Sequence, residues 1–220
     1  MSLEIDPFRL AIACVPLAAY GLVLAIVNAR RRPLVVSGGS DVVTLGIALS
    51  GVAFVGPMEL FRPEAATVEL GNYIWVALLL FYWLSVLLVM LTARPRIVVY
   101  NISPDELHPA LAETANRLDP EARWAGNHLS LPRLGVQLHL DSLDIMRNVS
   151  LAPSGGRQNL EGWRKLTREL SASLASVRVK SNPRAFGFLL AAAGLLGISL
   201  SHILRHPVEL AQAFREVFAF

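Results

Sequence analysis

Four stretches of the chain are apolar on every face. They run from Phe8 to Asn28, Asp41 to Phe61, Asn72 to Ala93 and Arg184 to Leu204. A bilayer core of about 30 Å takes roughly 20 apolar residues as a helix. Each stretch has that length and is bounded by charge, Pro or Gly, so each predicts a transmembrane helix. A helix packed on a soluble core would keep one polar side.

The period changes between the third and fourth stretches. Ile97-Val98-Val99-Tyr100 predicts a strand. Ser103-Pro104-Asp105-Glu106 then opens a helix: the serine caps, the proline fits the first turn, and the glutamate completes a capping box. Leu107, Leu111, Ala115 and Leu118 share one face, and Asp119-Pro120 ends the run. Ala122–Ala125 and His128–Leu131 flank Gly126-Asn127, the signature of a two-residue hairpin turn. Val136, Leu138 and Leu140 alternate with Gln137, His139 and Asp141, and Ile145 to Ala152 predicts a further strand. Leu160, Trp163, Leu166, Leu170, Leu174 and Val177 form the stripe of a second helix.

The expected fold class is therefore a membrane all-α protein with an inserted α+β domain. Four transmembrane helices carry a small antiparallel sheet with two helices on one face. The boundaries fall at 1–93 for the first three spans, 94–183 for the domain, 184–206 for the fourth span and 207–220 for a tail. Linkers of a few residues join the domain to its two neighbouring spans, which predicts a domain held close to the bilayer. In the tail, Val208, Ala211, Phe214 and Phe218 share a helical face, and Phe214 and Phe218 are candidates for docking on a partner.

Composition agrees. Hydrophobic residues make up 54% of the 220 and charged residues 17%, with a mean hydropathy of +0.49. An ordinary soluble domain carries about 25% charge. A disordered chain, a coiled coil and a typical soluble enzyme are excluded. The net charge of +3 is too small to predict a nucleic-acid partner. The expected partners are the lipid bilayer and other membrane protein subunits.

Basic residues set the orientation. Arg30, Arg31, Arg32, Arg94, Arg96, Arg178, Lys180 and Arg184 fall on one side of four alternating spans, and Arg9, Arg62, Arg205 and Arg215 on the other. This predicts a multi-pass protein of the cell inner membrane with a cytoplasmic domain and both termini outside. The single cysteine, Cys14, lies in an apolar run and allows no intrachain disulfide.

Candidate chemistry is sparse. The first, third and fourth spans lack ionisable groups near their centres, where transporters place them. Asp41 and Glu59 lie near opposite ends of the second span, and Glu59 follows Gly56-Pro57, which could open a polar pocket. Tyr82 and Trp83 lie at the middle of the third span, suited to helix packing or to a lipid, quinone or pigment contact, with no cofactor assigned. Small residues recur at four-residue spacing: Ala193, Gly197 and Ser201, then Gly187 and Ala191, then Gly46 and Ser50. That interval lets helix backbones approach closely.

His202 and His206 are one turn apart, but no second ligand cluster accompanies them and no metal is expected. Asn101-Ile102-Ser103 and Asn148-Val149-Ser150 match the glycosylation sequon, yet both fall in the segment assigned to the cytoplasm. No nucleophile elbow, phosphate loop, dinucleotide fingerprint or zinc-protease motif is present.

The expected function is a non-catalytic integral membrane protein, a subunit, scaffold or assembly factor of a larger complex. Two alternatives have their own discriminators. A transporter or channel component would use the Glu59 region. A membrane enzyme acting on lipid would gather His128, His139 and Asp141 in one cleft.

Overall fold

A computed structural model describes residues 7–58, 71, 73–143, 146–156, 158–180 and 182–208. Glu59 and the tail with Phe214 and Phe218 lie outside the described residues. In chain order the elements are α1 (Pro7–Ala29), β1 (Leu34–Ser37), α2 (Gly38–Ala53), α3 (Tyr73–Thr92), β2 (Ile97–Tyr100), α4 (Pro104–Leu118), β3 (Arg123–Ala125), β4 (His128–Leu131), β5 (Val136–Leu143), β6 (Asn148–Pro153), α5 (Leu160–Leu174) and α6 (Arg184–Arg205). A single π-type turn, Phe54–Met58, follows α2 where Gly56-Pro57 disturbs the α-helical ladder.

Two compact units emerge. One takes Met1–Val23, Val43–Val89 and Gly187–Phe220; the other takes Leu24–Val42 and Met90–Phe186. The described residues of the first are mainly helical. Among the described residues, four helices are long and apolar enough to cross a membrane: α1, α2 with its extension to Gly56, α3 and α6.

The second unit is a six-stranded antiparallel sheet with the order β1-β2-β6-β5-β4-β3. Its edge strand β1 comes from the connector between the first two spans and pairs Leu34 with Tyr100 and Ser37 with Ile97. The chain therefore contributes to the sheet from well before residue 94. Ile97, Val99, Val149, Leu151, Leu138 and Leu129 point to one face, set by alternation and register. Leu107 and Leu111 of α4 and Trp163, Leu166 and Leu170 of α5 bury against that face in one cluster. Both helices lie on the same side of the sheet.

Local sequence explains the boundaries. The Ser103 side chain accepts from the Glu106 amide, and the Glu106 side chain accepts from the Ser103 amide, closing the capping box of α4. Gly126 has φ +60°, which the β3–β4 turn requires and which glycine adopts without strain. Asn159 caps α5 by accepting from the amides of Glu161 and Gly162. At Gly162 an added Cβ would stand 2.2 Å from the Leu134 carbonyl oxygen, so only glycine lets α5 lie this close.

Candidate functional site

Three buried asparagines organise the residues that follow α1. Asn101 has φ +60°, a left-handed conformation that asparagine tolerates better than most side chains. It is fully buried, and its Nδ2 donates to the carbonyls of Val27 at 3.3 Å and Arg30 at 2.6 Å. Those carbonyls lie at the end of α1, where the helix offers them no partner. Asn28 donates to the Leu24 carbonyl at 2.8 Å and accepts from Asn182 Nδ2 at 2.6 Å. Asn182 Oδ1 in turn accepts from the Arg184 amide at 3.1 Å, at the start of α6.

A second set of bonds surrounds this one. The Val179 amide donates to the Arg31 carbonyl at 3.1 Å. Arg147, with φ +48°, donates to the Lys180 carbonyl and to Glu106 Oε2, each at 2.9 Å. Burial alone would raise the Glu106 carboxyl. The Ser103 amide and hydroxyl and the Arg147 guanidinium outweigh it and hold the group below its ordinary value. Asp41, in the first turn of α2, accepts from the Tyr100 hydroxyl and from Arg96 at 3.3 Å.

In the helical unit the Tyr82 hydroxyl donates to the Gly46 carbonyl at 2.6 Å, which satisfies a polar group in apolar surroundings. An added Cβ at Gly46 would stand 2.9 Å from Val86 Cγ1. Trp83 meets the Tyr82 ring edge-on at 5.6 Å. Ser50 turns its hydroxyl back to the Ile47 carbonyl. With Ile12, Pro16, Gly51, Phe54 and Leu79 it lines an apolar cavity of about 560 Å³.

On α6 the five small residues singled out from sequence, Gly187, Ala191, Ala193, Gly197 and Ser201, are all exposed. A Cβ added at Gly187 or Gly197 would meet nothing within 4 Å. The buried residues of α6 are Ala192 and Ser199. Ala192 Cβ would lie 3.3 Å from a Cβ at Gly21. A tighter approach occurs at Gly51, where a Cβ would fall 1.8 Å from the Ile12 carbonyl oxygen.

On the sheet face away from the helices, His128 pairs with His139 across β4 and β5, their rings 5.7 Å apart. Asp141 Oδ2 lies 2.8 Å from His139 Nε2. The three side chains come together, but His139 is 31% and Asp141 65% exposed, so this is an open surface and not a cleft. The His202 and His206 rings are 5.0 Å apart. Among the described residues no group of three or more His, Cys, Asp and Glu could hold a metal ion.

Sequence reasoning missed the asparagine cluster, β1 and the Gly51 contact. The first two left a signal. Asn28 closes an otherwise apolar run, and Leu34-Val35-Val36 is a short β-prone run between Pro33 and Gly38. Asn101 was legible only as a sequon. Comparison with protein-family models, with curated proteins and with solved structures finds no match to this chain.

Proposed function

We propose that the chain is a non-catalytic, multi-pass subunit or scaffold of a larger membrane complex. In this reading the four apolar helices insert in the inner membrane, and the sheet domain lies on the cytoplasmic side with the arginine-rich connectors. The observation that supports it is the unequal use of small residues in the helical unit. Gly21, Gly46 and Gly51 are crowded by neighbouring helices, while Gly187, Gly194 and Gly197 have nothing within 4 Å. A small-residue face left open on an apolar helix suits the close approach of a helix from another chain.

The test compares the two kinds of glycine. Gly197→Leu should leave the isolated chain as stable as before but remove its association with other subunits or copies. The readout is mass by light scattering after extraction in mild detergent. An unchanged mass for the variant, or a monomer for the parent chain, would refute the subunit reading. Reporter fusions after Arg32 and near residue 140 test the orientation separately.

The lipid-acting enzyme has its discriminator met only in part, since His128, His139 and Asp141 meet on an open surface and not in a cleft. Its readout would be loss of lipid turnover in His139→Ala with the fold intact.

A further inference from the structure

Arg30, Arg31, Arg32 and Arg178 line one cavity of about 610 Å³, together with Pro33, Leu34, Val35, Ser171 and Ala175. No acidic residue is among its lining. No hydrogen bond or ion pair joins any of these four guanidinium groups to another described residue. Elsewhere in the same unit Arg96, Arg133 and Arg147 each reach a carboxylate. Four cations gathered with no counter-charge among the described residues repel one another, and an anion between them removes that cost.

The backbone beneath the arginines is fixed. Asn101 holds the Arg30 carbonyl, and the Arg31 carbonyl accepts from Val179, the neighbour of Arg178. The two segments that supply the charges are thus tied to each other. With the backbone already fixed, only the exposed guanidinium side chains need to settle when a ligand arrives, which lowers the ordering cost. The C-cap of α5, Ala175, also borders the cavity and carries a partial negative charge of about half a unit, far less than four guanidinium groups.

We propose that this cavity binds a phosphate-ester anion, and specifically the headgroup of an anionic phospholipid. Planar guanidinium groups match phosphate oxygens in paired hydrogen bonds. The apolar wall of Pro33, Leu34 and Val35 favours the lipid over a free ion, because it offers contact to a glycerol backbone and the first acyl carbons and nothing to inorganic phosphate. The arginine run also begins directly at the end of the 23-residue apolar helix α1, the position at which basic pockets hold lipid headgroups.

The full chain in mild detergent is titrated with dihexanoyl phosphatidylglycerol, with dihexanoyl phosphatidylcholine and with inorganic phosphate, and binding is read by calorimetry. Phosphatidylglycerol should bind at least about tenfold more tightly than either of the others. The double variant Arg32→Gln/Arg178→Gln should lose roughly tenfold or more in that affinity, two charge-assisted contacts being removed. The double variant Arg164→Gln/Lys165→Gln, at two exposed positions of α5 outside the cavity, removes the same two charges and should lose less than about twofold. Thermal unfolding without ligand confirms that the variants fold. Equal losses in the cavity and control variants would overturn the site, since binding would then follow net charge alone. Equal affinity for inorganic phosphate would overturn the lipid assignment and leave a soluble phosphate as ligand. Equal affinity for phosphatidylcholine would overturn the requirement for an anionic headgroup.

Discussion

The two units use the same apolar side chains in opposite ways. In the sheet unit Leu107, Leu111, Leu166 and Leu170 are fully buried, each at one position of a stripe on an otherwise polar helix. In the helical unit Phe81 is 70% exposed and Leu84 and Leu88 are each 62% exposed, although α3 is more apolar than either domain helix. Hydrophobicity alone therefore does not decide what is inside. Period decides it: where only one stripe is apolar, water drives that stripe onto a sheet, and where every face is apolar, most of the surface must meet a non-aqueous solvent or another protein.

The contrast gives its largest expected effect at Trp163, which is buried under α5 and donates from its indole to Gln158. Trp163→Ala should destabilise the sheet unit by about 3–5 kcal/mol, measured by chemical denaturation. Phe81→Ala removes a comparable ring from an exposed site and should change stability in detergent by less than about 0.5 kcal/mol. A large loss at Phe81 would break the comparison, because some surface would then have to cover that ring in the detergent-solubilised chain.

Tight packing is the one property the units share, and it supplies the next effects. Gly51→Ala should cost about 1–3 kcal/mol or more through the Ile12 carbonyl, and Gly162→Ala a similar amount through Leu134. Thermal unfolding of the two variants should show both losses. Tolerance at Gly51 alone would mean that the helices shift apart more readily than the sheet and its helix.

A loss of similar size, without the steric overlap, is expected at Asn182→Ala, which strips the donor from the buried side-chain amide oxygen of Asn28. The expected cost is about 1–3 kcal/mol, with faster hydrogen exchange at the end of α1 as its local sign. An unchanged exchange rate there would show that the amide pair does not hold the helix end.

The smallest effect is pH-dependent. The Glu106 carboxyl is held below its ordinary value of 4.5 in the fold. Its contribution is therefore complete above pH 4.5 and is lost as the pH falls through the lower, folded value. Glu106→Gln should flatten the acid limb of the stability curve below pH 4.5 and leave the curve parallel to wild type near neutrality. A difference in slope near pH 7 would assign the titration to another group.

Much of this architecture is legible in local patterns. The four long apolar helices, the capping box at Ser103, the turn at Gly126 and the two helical stripes depend on neighbours within a few residues. Beta-strand β1 was harder, because its pairing partner Ile97–Tyr100 lies sixty residues away in sequence, beyond two apolar helices. The same holds for Asn28 and Asn182, which are 154 residues apart. Which face of α6 packs within the chain was not legible for a related reason. Spacing marks several small-residue faces on one helix, and only the arrival of Gly21 selects the one bearing Ala192. The cavity arginines were visible only as charges that set orientation, since Arg178 joins Arg30, Arg31 and Arg32 through tertiary structure.

The origin of β1 in the first interhelical connector also constrains the order of events during synthesis. Ser37 leaves the ribosome well before its partner Ile97. At typical elongation rates the gap is roughly 3–12 s, during which this strand has an unpaired edge. β2 then arrives with its other edge still waiting for β6, whose Val149 and Leu151 are some fifty residues later. The sheet therefore cannot close as an independent module released after the third helix. Its completion is kinetically tied to the successful placement of everything made before it, so a chain that mishandles its first helices should be caught with an open, protease-accessible sheet edge.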